Sequence, residues 1–86
     1  MYSVEFSPAA VRDYKKLTHD ELEKINILID KLAENPRPAG YKKLKSRDAY
    51  RVRSGDYRVI YEIHHKILTI IIIRIRHRKE VYRDLS

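Results

Sequence analysis

Apolar residues fall at alternate positions at the start of the chain: Tyr2, Val4 and Phe6 lie on one face of a short strand, YSVEF. Ser7-Pro8 breaks that alternation, because serine caps a helix and proline suits its first position. In the segment PAAVRDYKKL that follows, the helical period allows two buried stripes, Val11, Tyr14 and Leu17 or Ala10, Tyr14 and Leu17. Thr18 opens a second helix, and Glu21 three places on completes a capping box ahead of LEKINILIDKLAEN. Leu22, Ile25, Leu28, Ile29 and Leu32 form its apolar stripe, and Asn35-Pro36 ends it. With almost no linker between them, the two helices form an antiparallel hairpin.

No period persists through residues 37–48, RPAGYKKLKSRD, which read as a loop anchored by Leu44. Alternation then returns. AYRVR and DYRVIYEIHH are strands separated by Ser54-Gly55, a tight turn. His65-Lys66 turns the chain into ILTIIIIRIR, whose isoleucine content marks a central strand. The closing RKEVYRDL accommodates a helical turn or two. The order β-α-α-β-β-β predicts one α+β domain over residues 1–86: a small antiparallel sheet, the helical hairpin on one face, and a short C-terminal helical turn. Tyr50, Val52, Tyr57, Val59, Tyr61 and Ile63 then face the helices, and Arg51, Arg53 and Arg58 share the other face. Arg74 and Arg76 also share a face, but the apolar run before them leaves open which one.

Charge sharpens this picture. Residues 1–40 carry six Lys/Arg against seven acids, whereas residues 41–86 carry thirteen against five, so the net +7 belongs to the C-terminal half. Such asymmetry favours a polyanionic partner, nucleic acid first and an acidic protein or membrane surface second. The absence of cysteine excludes disulfides, thiolate nucleophiles and Cys-based zinc sites, and permits a reducing cytoplasm. The N-terminus lacks the apolar core of a signal peptide, and the apolar run at 70–73 is far below the roughly 20 residues that span a bilayer. The expectation is a cytoplasmic protein with no membrane segment.

Candidate chemistry concentrates on the arginines. A guanidinium offers a planar fork suited to bidentate phosphate contacts and stacks on bases, whereas edge-strand arginines also serve merely to discourage aggregation. Lys42, Lys43, Lys45, Arg47, Arg74, Arg76 and Lys79 extend the basic surface as candidate nucleic-acid contacts. Where the last strand exits, RHRKEVY gathers His77, Arg78 and Tyr82, and His77 can titrate near neutral pH. His64 and His65 have no third ligand at useful spacing, so no metal site is expected, and no cofactor motif is visible.

These pieces together, the opening strand before SPAAVRDYKKL, the ENPRPAGYKKL loop, YRVRSGDYRVIYEI and RHRKEVY, resemble the RelE/ParE toxin superfamily of type II toxin–antitoxin systems across nearly the whole chain. The tail is most similar to the RelE branch. That resemblance implies a ribosome-dependent endoribonuclease that cleaves mRNA in the ribosomal A site by metal-independent 2′-OH attack. It also implies a cognate antitoxin bound in a hetero-oligomeric complex, with ribosome and mRNA as further partners. By position it implies a catalytic set of Arg51, Arg53, Arg58, Arg78 and Tyr82, with His77 beside them. The branch often has lysine where this chain has Arg51 and Arg53. Arginine keeps its proton up to about pH 12, so proton transfer falls to His77 or Tyr82, or turnover rests on positioning and charge. Two alternatives stay open: a ParE-like non-nuclease toxin that inhibits DNA gyrase, and a degenerate antitoxin-binding module.

Overall fold

Both helix starts form as their chemistry dictates. In the computed structural model, which describes residues 1–45 and 48–78, strand β1 (Ser3–Phe6) runs into helix α1 (Pro8–Lys15). The Ser7 hydroxyl accepts from the Ala10 N–H at 3.1 Å and donates to the Ile73 carbonyl at 2.8 Å, so one side chain both caps the helix and ties it to the sheet. Helix α2 (His19–Glu34) opens with the reciprocal pair expected of Thr18 and Glu21: the Thr18 N–H donates to Glu21 at 2.8 Å and the Glu21 N–H to the Thr18 hydroxyl at 3.3 Å. Of the two stripes open to α1, Ala10, Tyr14 and Leu17 face inward; Ala10 is fully buried and Val11 is 38% exposed. Ile25, Leu28, Ile29 and Leu32 of α2 are buried, with Leu22 half-buried.

Strands β2 (Lys42–Lys43), β3 (Tyr50–Ser54), β4 (Tyr57–His64) and β5 (Thr69–His77) complete a five-stranded sheet among the described residues, in the order β1-β5-β4-β3-β2. Val52, Val59, Tyr61, Ile70, Ile72 and Ile75 meet the helices in one hydrophobic core. Fully buried Tyr61 donates its hydroxyl to the Pro36 carbonyl at 2.6 Å, pinning the chain that leaves α2, and burial pushes its phenol up to about 12.

The α+β architecture and the helical hairpin match expectation, and the sheet differs in three details. β1 lies parallel to β5, Ser3 opposite Thr69 through Phe6 opposite Ile72, so the sheet is mixed rather than wholly antiparallel. Alternation within β1 reads the same in either direction, which is why the sequence did not fix it. The expected loop over 37–48 contributes β2, whose Lys42 pairs with Arg51 and Lys43 with Tyr50. Two lysines carry no apolar period, and lysine on a short edge strand is a common guard against further pairing. The hairpin turn sits one residue later than expected, at Gly55-Asp56, with Gly55 at φ +59° in the first central position as a type II′ turn requires. The C-terminal helical turn expected after residue 78 falls outside the described residues. No helix among the described residues is long and apolar enough to cross a membrane.

Candidate nucleic-acid interface

The face of the sheet turned away from the helices is built by register. In an antiparallel pair, directly opposite residues project to the same side. Arg53 pairs with Arg58, and Arg58 with Arg76, so three guanidinium groups line up across β3, β4 and β5. One step along, Lys42, Arg51, Ile60 and Arg74 form a second cross-strand row on that face.

A bulge makes this possible. Tyr61 pairs with Ile72 but Ile60 with Arg74, so Ile73 is an extra residue in β5. Ile70 and Ile72 face the core, and strict alternation would send Arg74 and Arg76 in after them. The extra residue reverses the parity, giving Ile75 to the core and both arginines to the cationic face. That resolves the ambiguity left by the sequence, in favour of Arg58's side.

The basic residues differ in what they touch. Arg74 is committed to the fold: its Nε donates to Asp13 Oδ2 at 2.8 Å and its Nη2 to Asp13 Oδ1 at 3.1 Å, while the Ile75 N–H reaches the same carboxylate at 2.9 Å. Burial pushes the Asp13 carboxyl up. The hydrogen bonds from Arg74 and Ile75 and the charges of Arg74 and Arg76 outweigh that and hold it below the ordinary carboxylate range. Arg53 is exposed, and Arg51, Arg58 and Arg76 are half-buried. Arg78 donates its backbone N–H to the Asp56 carbonyl at 2.7 Å, and its Nε lies 3.8 Å from the Asp56 carboxylate, which keeps it beside the hairpin turn. Both side chains of that ion pair are 63% exposed, so it holds Arg78 only weakly. Lys43 faces the other way, opposite Tyr50, and Lys45 is exposed.

His77 does not join the arginine row. It pairs with Tyr57 on the helix-covered side, their rings edge to face with centroids 5.3 Å apart. Nearby, the N–H of Thr18 and the hydroxyl of Tyr57 both donate to Glu21, and these bonds, with the charge of His77, pull its carboxyl below the ordinary range. Tyr82, Arg47 and Lys79 fall outside the described residues. Among the described residues no three His, Cys, Asp or Glu side chains converge in a way that would hold a metal ion. Asp13 has no signature in the sequence, because its role appears only when β5 brings Arg74 and the Ile75 N–H to its carboxylate.

A helical hairpin on a five-stranded sheet, its far side lined with arginines from three strands, defines a small basic α+β domain. The chain belongs to the ParE toxin family of type II toxin–antitoxin systems, whose defining pattern matches residues 4–82. It is similar to RelE1 of Methanocaldococcus jannaschii, 36% identical over 87 residues that cover 96% of this chain and 97% of that one. The mRNA interferase toxin RelE of Escherichia coli is 26% identical over 96% of this chain and 92% of its own. Among solved structures, the toxin–antitoxin complex RelBE2 of Mycobacterium tuberculosis superposes with a TM-score of 0.79 at 30% identity, covering 90% of this chain and 98% of that chain.

Proposed function

We propose that this chain is a RelE-type mRNA interferase: a cytoplasmic endoribonuclease that enters the ribosomal A site, cuts the message there, and is held inactive by a cognate antitoxin. The observation that carries the reading is the row Arg53–Arg58–Arg76, three arginines at directly paired positions of adjacent strands. Arg58 stands directly opposite Arg53, and like charges opposite one another in a sheet are unfavourable, so an anion beside that pair is the natural occupant.

The reaction is attack of a ribose 2′-oxygen on the adjacent phosphorus. The P–O5′ bond breaks, leaving a 2′,3′-cyclic phosphate and a 5′-hydroxyl. The 2′-oxygen loses its proton and the departing 5′-oxygen gains one. Arg58 and Arg76 neutralise the non-bridging oxygens as charge builds on the phosphorane, and Arg51 and Arg53 hold the flanking backbone. Guanidinium groups thus supply the positive charge that a metal ion supplies elsewhere. Arginine does not serve as a base at neutral pH, and His77 projects from the other side of the sheet. Proton transfer therefore falls to Tyr82, and most of the rate comes from positioning and electrostatics. The antitoxin that blocks this face is acidic where it covers the arginines.

The match to the ParE pattern favours one rival, a toxin that acts on DNA gyrase. Translating ribosomes incubated with purified protein, followed by mapping of mRNA ends, separate the two. The expected result is cuts phased to codons, lost in Arg58→Ala, Arg76→Ala and Tyr82→Phe. Intact mRNA with gyrase-trapped DNA breaks would replace this reading with the rival.

A further inference from the structure

The loop that leaves α2, residues 36–41, is tied down along its length. The Arg37 N–H donates to the Asn35 side chain at 3.1 Å, the Pro36 carbonyl accepts from buried Tyr61 at 2.6 Å, and the Tyr41 N–H donates to the Pro38 carbonyl at 3.1 Å. Gly40, at φ +87°, takes the left-handed third position of that last turn, and the prolines on either side of Arg37 restrict its backbone. A loop held this firmly displays what it carries: Arg37 is exposed and Tyr41 is 38% exposed.

Both side chains pack on Tyr50. The Arg37 guanidinium lies 5.7 Å from the centre of the Tyr50 ring, and the Tyr41 ring lies 6.0 Å from it. Arg37 Nη2 also approaches His65 Nε2 at 3.4 Å, and the hydroxyl of Tyr2 meets the other nitrogen of that imidazole at 3.0 Å. These partners are rings and hydroxyls, none of which offsets a positive charge. Among the described residues no carboxylate lies within ion-pair distance of Arg37. Glu34, three positions earlier, forms no ion pair with it; Asp48 sits 3.9 Å from Lys43, and Glu62 projects from the opposite face, 2.9 Å from His64.

A nucleotide carries what this patch lacks, a phosphate for the guanidinium and a base for the exposed part of the Tyr41 ring. We propose that Arg37 and Tyr41 form a second RNA contact, with a base stacked on Tyr41 and an adjoining phosphate on Arg37. Tyr50 projects from β3 on the side opposite Arg51 and Arg53, so the strand held here is not the one on the arginine face. On the nuclease reading above, from which the identity of the RNA follows, it is ribosomal RNA beside the A site.

Adenosine 5′-monophosphate and ribose 5-phosphate, one phosphate with and without a base, test the contact when NMR follows the Tyr41 ring and the Arg37 side chain. Wild type and Tyr41→Phe should bind the nucleotide about tenfold more tightly than the sugar phosphate, the scale of one base–aromatic stack. Tyr41→Leu should erase that preference, and Arg37→Gln should weaken both probes. No response at these two side chains, or an equal response to both probes in wild type, overturns the contact. Sedimentation with vacant ribosomes tests the source of the RNA. Tyr41→Leu should lower affinity about tenfold while leaving the rate of cutting at saturating ribosomes unchanged, and an unchanged affinity would overturn the ribosomal assignment. Wild type that holds ribosomes through Tyr41 yet leaves mRNA intact sinks the nuclease and spares this contact.

Discussion

At the scale of single residues, Arg58 is placed at a cost. It stands between Arg53 and Arg76, and its Nε is buried with no hydrogen-bond partner among the described residues. Directly opposed like charges in a sheet destabilise by a few tenths to about 1 kcal/mol, and an unsatisfied buried donor adds to that. The aliphatic stems on this face are nonetheless useful: Ile60, between Arg51 and Arg74, is only 2% exposed although it lies outside the core shared with the helices. Arg58→Met keeps the stem and removes the charge. It should raise stability by about 0.5–1 kcal/mol in urea denaturation while abolishing mRNA cleavage. Opposite signs in the two assays mark a residue retained for function. A loss of stability would instead make the row a structural device, and the guard against edge pairing would become its better explanation.

At the scale of elements, the sequence was clear wherever one period ran without interruption. Both helices, their caps, the apolar stripe of α2 and the inward residues of β3 and β4 follow from spacing alone. It fell short where geometry depends on a partner strand. The run at 70–73 hides the bulge at Ile73, because four isoleucines look alike to both faces, and so the place of Arg76 beside Arg58 had no signature. Asp13 was hidden for the same reason. Its carboxylate is 12% exposed and links α1 to β5 through Arg74 and the Ile75 N–H. Because folding holds its pKa below the ordinary 3.8, its contribution is fully present above that value and is lost as pH falls through the lower, folded one. Asp13→Asn should therefore cost about 2 kcal/mol at pH 7, on the scale of hydrogen bonds to a charged group, and the deficit should shrink toward pH 2. Denaturation of both proteins at the two pH values measures it. An equal deficit at both would mean that the charge on Asp13 contributes nothing.

At the scale of the whole molecule, the fold turns an uneven distribution of charge along the chain into an uneven distribution in space. The basic C-terminal half supplies β2 to β5, and register turns most of its strand arginines to one side, while the near-neutral N-terminal half supplies the helices that cover the other. A surface that binds RNA by neutralising phosphates releases counterions, and for single strands log K falls with log salt at about 0.7 per contact. Four contacts from Arg51, Arg53, Arg58 and Arg76 imply a slope near −3, so raising salt fourfold should weaken binding of an uncleavable single-stranded RNA about 50-fold. Arg53→Gln should make that slope shallower by about 0.7. Lys24→Gln, an exposed position on α2, should leave it unchanged, because its charge belongs to the helical layer. If the two substitutions flattened the slope equally, RNA would be following the net charge of the protein rather than the arginine face, and the register that aligns those side chains would have no part in recognition.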